Sequence, residues 1–458
     1  MGHQSTRSAR REVERRRGAD MPILQRPGRR ADKPTRSPGQ REVRPTNIAA
    51  MPALTNEGGP RTRVHAAVVV LGCVVGQSFA RFSFGLLLPA VKNDLHISYG
   101  IAGWLGTMNL GAYLIGTALT SVASLRYPAH RVMQSGIIVA TVGIAVLAIA
   151  PTTAVLLAGM FICGIGGAAS WVPAPAVAAA AFPPERRGFA MGLCSAGIGV
   201  GIIIATELTT AFRSAFNRPD AWRPIWAIEA GVGALVAVTS LRTLRPVPIS
   251  PGAPPKLSTL RQVPRWWSPT AAYTCFGLGY VLFAVFVVAA LQHDAHFSAG
   301  HASQVFALMG LGNAIGALSI GRLSDRIGRR TTMIVSFAAA AVPCLVVLTG
   351  REPFVALSAV LFGTAMSGSV VSIAAYIGDH TRPQDFSAAF GVVTLCFGVA
   401  QTIGPRLGGW MADHAGSFDH VFLVAAAAWF FGSVCAIGMP HRSRPSPGQR
   451  PTARPTTR

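Results

Sequence analysis

Arg81, Glu207 and Glu229 each interrupt a run of apolar residues long enough to cross a membrane. Ionisable groups at membrane depth are rare and mark the paths of ions or solutes. Arg81 is a permanent cation, and its planar guanidinium suits two-point recognition of a carboxylate, sulfonate or phosphate. It stands seven residues before Leu88, about 10 Å below the outer end of its segment at 1.5 Å per residue. A second role fits the same place: a nearby acid neutralises Arg81, and the pair holds helices together. Glu207 sits late in its segment near the outer rim, and Glu229 about 12 Å into the next one by the same rise. Each is a candidate to carry a coupling proton, and each is equally a structural partner for Arg81 or Arg213.

Some uncharged polar residues within the apolar runs could also meet a solute or a neighbouring helix. Asn109 and Tyr113 are four residues apart and share one helix face. With Tyr280 they form the expected lining of a solute pocket, and Trp171 is the candidate for an aromatic wall. Asn313 and Gln401 read as hydrogen-bonding glue between helices. The seven cysteines all fall inside apolar runs with no C-x-x-C pair, so they read as small buried hydrophobes rather than disulfide or zinc ligands. His293, Asp294, His296 and His301 cluster in one connecting segment, which reads as a solvated loop. Neither a Walker motif nor a nucleophile–base constellation is present. The expectation is therefore no catalysis, no cofactor and no bound metal.

Twelve apolar segments position these residues, at 64–89, 101–124, 132–151, 153–181, 188–213, 221–241, 269–292, 302–323, 331–349, 353–378, 386–412 and 419–439. About 20 apolar residues are needed to cross the hydrocarbon core as a helix, and backbone groups in lipid must be satisfied within the segment. The fold class is an all-α membrane protein. An even number of spans leaves both termini on one side. With that side inside, and with the span-end residues Arg322 counted as inner and Arg213 and Arg223 as outer, the inner loops and C-terminal tail carry 19 Arg/Lys and the outer loops 5. The positive-inside rule therefore places both termini in the cytoplasm.

Of the 458 residues, 50% are hydrophobic and 13% charged, about half the charge of a soluble domain. The net charge of +23 is concentrated at the ends and loops, so it argues for membrane topology and not for nucleic acid. Residues 1–63 are rich in Arg, Pro, Ser and Gly, too polar to bury a core, and read as a disordered cytoplasmic extension. No apolar stretch of a secretory signal follows its early arginines, and Met21 or Met51 are alternative starts. The organisation expected is an N-terminal bundle at 64–241, a cytoplasmic linker at 242–267, a C-terminal bundle at 268–440 and a basic tail at 441–458. Six spans on either side of one long proline-rich linker suggest an internal repeat.

Between the eighth and ninth spans stands Gly321-Arg322-Leu323-Ser324-Asp325-Arg326-Ile327-Gly328-Arg329-Arg330. This stretch resembles the signature loop of the major facilitator superfamily, G-x-L-x-D-R-x-G-R-R. The resemblance implies a fold of two pseudo-symmetric six-helix bundles. It also implies a conformational latch on the cytoplasmic side, carried here by Gly321, Asp325, Arg326, Gly328, Arg329 and Arg330. The corresponding stretch of the first half, from Gly116 to Arg131, has Thr120 where the aspartate would be. Arg81-Phe82 with Gly85 and Pro89 resembles the YbfB/YjiJ-like branch of that superfamily, whose members are largely uncharacterised. So do Ala102-Gly103-Trp104-Leu105 with Asn109 and Tyr113, and Gly277-Leu278-Gly279-Tyr280. By that resemblance Arg81 lies near the central cavity, while the span holding Glu229 is peripheral. Gly404-Pro405-Arg406-Leu407-Gly408-Gly409 resembles the glycine–proline motif of proton-driven antiporters, though in the eleventh span rather than the fifth.

These readings converge on a secondary transporter of the inner membrane. It would act as a monomer, move a small organic solute by alternating access, and be coupled to protons. A non-transporting sensor with a transporter fold is the alternative.

Overall fold

The computed structural model describes residues 60–247 and 255–440, apart from 181, 183–186, 217, 219 and 220. The expected extension up to residue 59, the basic tail at 441–458 and the middle of the linker lie outside the described residues. Among the described residues, all regular structure is helical. The first span runs from α1 (Pro60–Cys73) through a π-helical stretch (Val74–Phe82) into α2 (Ser83–Leu95). It is followed by α3 (Tyr99–Ala123), α4 (Ala129–Ala148), α5 (Thr153–Trp171) with its short continuation α6 (Ala174–Ala179), α7 (Arg187–Phe216) and α8 (Arg223–Thr243). The linker carries one turn of helix, α9 (Leu257–Leu260). After it come α10 (Trp267–His293), α11 (Ala299–Ile327), α12 (Arg329–Val346), α13 (Phe354–Asp379), α14 (Pro383–Ala415) and α15 (Asp419–Ile437).

Eleven of these helices, with the first span counted as one and α6 joined to α5, are long and apolar enough to cross a membrane. The twelfth is α3, whose 25 residues carry no charge. Its glycines, threonines, Asn109 and Tyr113 leave it less apolar than the rest. Local sequence sets several helix starts. Ser98, Thr152 and Ser298 have extended backbones, and their hydroxyls accept from the N–H groups of Ile101, Val155 and His301. Each cap satisfies one of the orphan donors at a helix N-terminus.

Packing divides the helices into two groups. In the first, α5 packs on α3 and α4, α4 on α8, and the π-helical stretch on α5 and α7. In the second, α13 packs on α11 and α12, and α10 on α14 and α15. The groups meet through α3 with α14, α7 with α11, and α2 with α10. The first span and α10 are the most deeply buried, at 78% of their apolar windows, and so sit at the centre. Leu119, Val122, Leu235, Leu357, Phe430 and Phe431 point outward and exposed, the apolar belt that acyl chains would cover.

At one end, Gly328 makes the α11–α12 turn with φ at 90°, a backbone that side-chain-bearing residues avoid. Arg329 there bonds Asp325 at 2.5 Å and Asp379 of α13 at 3.1 Å. Its Nη1 donates to Ser324 Oγ. The ion pairs of the signature loop therefore stay within the second group. At the opposite end the two groups are tied together directly. The Asp413 carboxylate of α14 accepts from the backbone N–H groups of Tyr99 and Gly100 at 2.9 and 2.8 Å, capping α3 from the other group. Thr107 Oγ1 donates to the Thr402 carbonyl and accepts from the N–H of Arg406. The Arg406 guanidinium lies over Trp104. A Cβ on Gly103 would stand 2.3 Å from the Pro405 carbonyl oxygen, so this contact requires glycine.

Candidate functional site

Arg81 lies where the two groups of helices meet. The stretch that carries it is π-helical, with i→i+5 bonding that leaves the i→i+4 ladder unfilled. Asn109 Nδ2 donates to the carbonyl of Ala80 at 3.0 Å and to that of Met160 at 3.1 Å. Gln77 Nε2 donates to the Gly167 carbonyl, and Ser78 Oγ to that of Ile198. Neighbouring helices thus hold this wide turn in place, and wide turns of this kind concentrate at functional sites.

The Arg81 side chain reaches across the interface to the second group. Its Nη2 donates to the Tyr280 hydroxyl of α10 and, at 2.5 Å, to Gln401 Oε1 of α14. The Tyr280 hydroxyl also donates to that oxygen, at 2.6 Å. The guanidinium carbon stands 5.1 Å from the Tyr113 ring centre, 5.7 Å from that of Tyr280 and 5.9 Å from that of Phe82. All of these partners are neutral. Among the described residues no carboxylate lies within 4.0 Å of Arg81, and its Nε and Nη1 make no hydrogen bond. Three N–H donors and a full positive charge are therefore unmatched among the described residues. The side chain is only partly buried. It borders a small pocket whose lining includes Gly106, Asn109, Leu110, Tyr280 and Val281.

The candidate residues separate at this point. Arg81, Asn109, Tyr113 and Tyr280 come together around the pocket and the guanidinium. Asn109 spends its amide on backbone carbonyls, so it shapes the site from behind. Gln401, expected to be glue between helices, is instead a direct partner of Arg81. Its sequence signal was a lone amide in an apolar span, which does not specify a partner 320 positions away. Trp171 ends α5, packed against the core and outside the pocket lining.

Glu229 is fully buried in α8, where its Oε1 accepts from the Ser83 hydroxyl at 2.6 Å. Ser83 follows Arg81 by two residues, so this carboxylate packs against the site's own helix. Its Oε2 has no hydrogen-bond partner among the described residues. Glu207 is exposed, and accepts at 3.3 Å from Gln304 across the α7–α11 contact. Neither glutamate pairs with Arg81.

An incompletely bonded cation thus stands between two helical groups that are tied at one end. Known proteins bear on this. The chain is 26% identical over 367 residues to the probable 4-methylmuconolactone transporter of Cupriavidus pinatubonensis, covering 77% of this chain and 83% of that protein. It is 25% identical over 371 residues to monocarboxylate transporter 13 of Rattus norvegicus, covering 78% and 84%. A crystal structure of a bacterial homologue of the human lysosomal transporter Spinster, in an inward-facing and unoccupied conformation, superimposes with a TM-score of 0.66. It is 16% identical and covers 85% of this chain and 99% of its own. That likeness is one of fold. The family pattern described as "Uncharacterised MFS-type transporter YbfB" matches residues 73–437, and the chain belongs to that family of multi-pass membrane transporters.

Proposed function

We propose that this protein is a secondary transporter that moves a small organic anion by alternating access, with Arg81 as the anion-binding residue. The observation that carries this reading is the missing counter-ion. A cation at membrane depth is expensive unless water, a carboxylate or a ligand anion meets it, and three of the Arg81 N–H groups have no acceptor among the described residues. Gln401 and Tyr280 hold the guanidinium from behind without neutralising it. The relatives' names, a lactone transporter and a monocarboxylate transporter, fit a solute of this chemistry.

The basic loops support both termini and the Asp325 end in the cytoplasm, and our reading is of a monomer in the inner membrane. In that orientation the structure is tied shut on the outer side, through Asp413. Release of the α3–α14 contact, with closure around the signature loop, would expose Arg81 to the other side. Glu229 is the candidate for a coupling proton, because it packs through Ser83 against the helix that bears Arg81. Glu207 is exposed at the α7–α11 contact and less suited.

The test is flux of radiolabelled carboxylates into proteoliposomes holding the purified full chain, with and without an imposed proton gradient. The expected result is gradient-dependent uptake that is lost in Arg81→Ala while the variant remains inserted and folded. Binding without flux would favour a sensor. Unchanged uptake in Arg81→Ala would remove Arg81 from the solute path.

A further inference from the structure

We infer that the anion carries a flat, unsaturated or aromatic body, which stacks on a wall of rings running from Arg81 toward the Asp325 end. This rests on the reading of Arg81 as the anion site, and it adds what the rest of the solute looks like.

The wall is built from two helices. Along α10, Tyr280, Phe276 and Tyr273 recur at helical spacing, with Phe276 stacked on Tyr280 at 5.0 Å and Tyr273 on Phe276 at 5.4 Å. Along α14, Phe397 lies one turn from Gln401, and Phe390 and Phe386 continue the line. Phe397 stacks on Tyr273 at 4.5 Å, on Phe276 at 5.4 Å and on Tyr280 at 5.9 Å, with ring planes within 14–23° of parallel. Phe386 stacks on Phe390 at 5.3 Å.

Burial differs between the two rows in a way that suggests which one meets the solute. The α10 rings are buried, while Phe397, Phe390 and Phe386 are only partly covered. Across the interface, partly buried Tyr113 holds its ring over the same guanidinium. Aliphatic side chains would cover a saturated chain equally well. Parallel rings beside a cation favour a ligand with a π-face, because offset stacking adds to simple burial.

The experiment is isothermal titration of the full chain in detergent with benzoate and with cyclohexanecarboxylate, matched in carbon count and charge but differing in planarity. Benzoate should bind roughly 2- to 10-fold tighter, the range that ring stacking supplies. The preference should collapse in Phe397→Leu and persist in Phe397→Tyr. Both acids should lose binding in Arg81→Ala. Equal affinity of the two acids in the unmodified chain, with Arg81 still required, would overturn the flat-solute inference alone. Retention of the preference in Phe397→Leu would do the same. Binding of neither acid, or binding that ignores Arg81→Ala, would overturn the anion reading and this inference with it.

Discussion

Arg81 and Asn109 lie close together, yet the structure gives them different partners, and substitutions should separate their roles. Arg81→Lys keeps the charge but loses the planar fork, in which Nη2 holds Tyr280 and Gln401 while Nε and Nη1 stay open to a ligand. Charge-assisted hydrogen bonds contribute about 1.5–3 kcal/mol each, so carboxylate affinity by calorimetry should fall by roughly 10- to 100-fold without vanishing. Asn109→Ala removes the donor shared by the Ala80 and Met160 carbonyls. Leaving buried acceptors unpaired costs about 1–3 kcal/mol, so its thermal unfolding in detergent should come earlier, with a smaller effect on affinity. An unshifted melting curve together with a large affinity loss would make Asn109 a direct ligand. The sequence singled out both residues as polar groups in apolar spans. It did not divide their roles, because a role depends on which backbone carbonyls pack within reach.

At the scale of elements, the contact between α3 and α14 holds one end closed. Gly103→Val would drive a branched side chain into the Pro405 carbonyl, and overpacking of this kind costs about 1–3 kcal/mol. The cost falls on the closed arrangement and spares the separated one. A thiol reagent applied from the Asp413 side should therefore label a cysteine introduced at Tyr113 faster in the Gly103→Val background. Equal labelling rates would mean that this contact does not govern access. Asp325→Ala removes one exposed partner of Arg329, and exposed ion pairs contribute at most about 1 kcal/mol. That variant should stay folded and inserted while turnover drops, and normal transport would reduce the loop to a topology anchor. The signature loop was legible because its features are local: a turn glycine, an aspartate and arginines within one stretch. The capping of α3 by Asp413 was not legible, since those residues are 314 positions apart.

For the whole molecule, alternating access requires the two helical groups to separate where they now touch. A Cβ on Gly111 would lie 3.4 Å from Thr402 Cγ2, close enough for a disulfide between Gly111→Cys and Thr402→Cys. In a chain whose seven native cysteines have been replaced, oxidation should arrest solute flux, and a reductant should restore it. Full flux in the cross-linked protein would show that the groups do not part along α3 and α14.

The sequence by itself determined the class, the number and rough extent of the spans, the charge asymmetry of the loops and the turn at Gly328. Hydrophobic length, backbone satisfaction in lipid and turn chemistry all act over short stretches of chain. Only the tertiary structure decided that Arg81 faces neutral Tyr280 and Gln401 and not an acid, that Glu229 turns to Ser83, and that Asp413 closes one end. Each of these pairs joins spans far apart in the chain. The apolar spans carry many small residues that allow close approach on several faces, so the partner of a buried polar group is fixed only once the helices have packed.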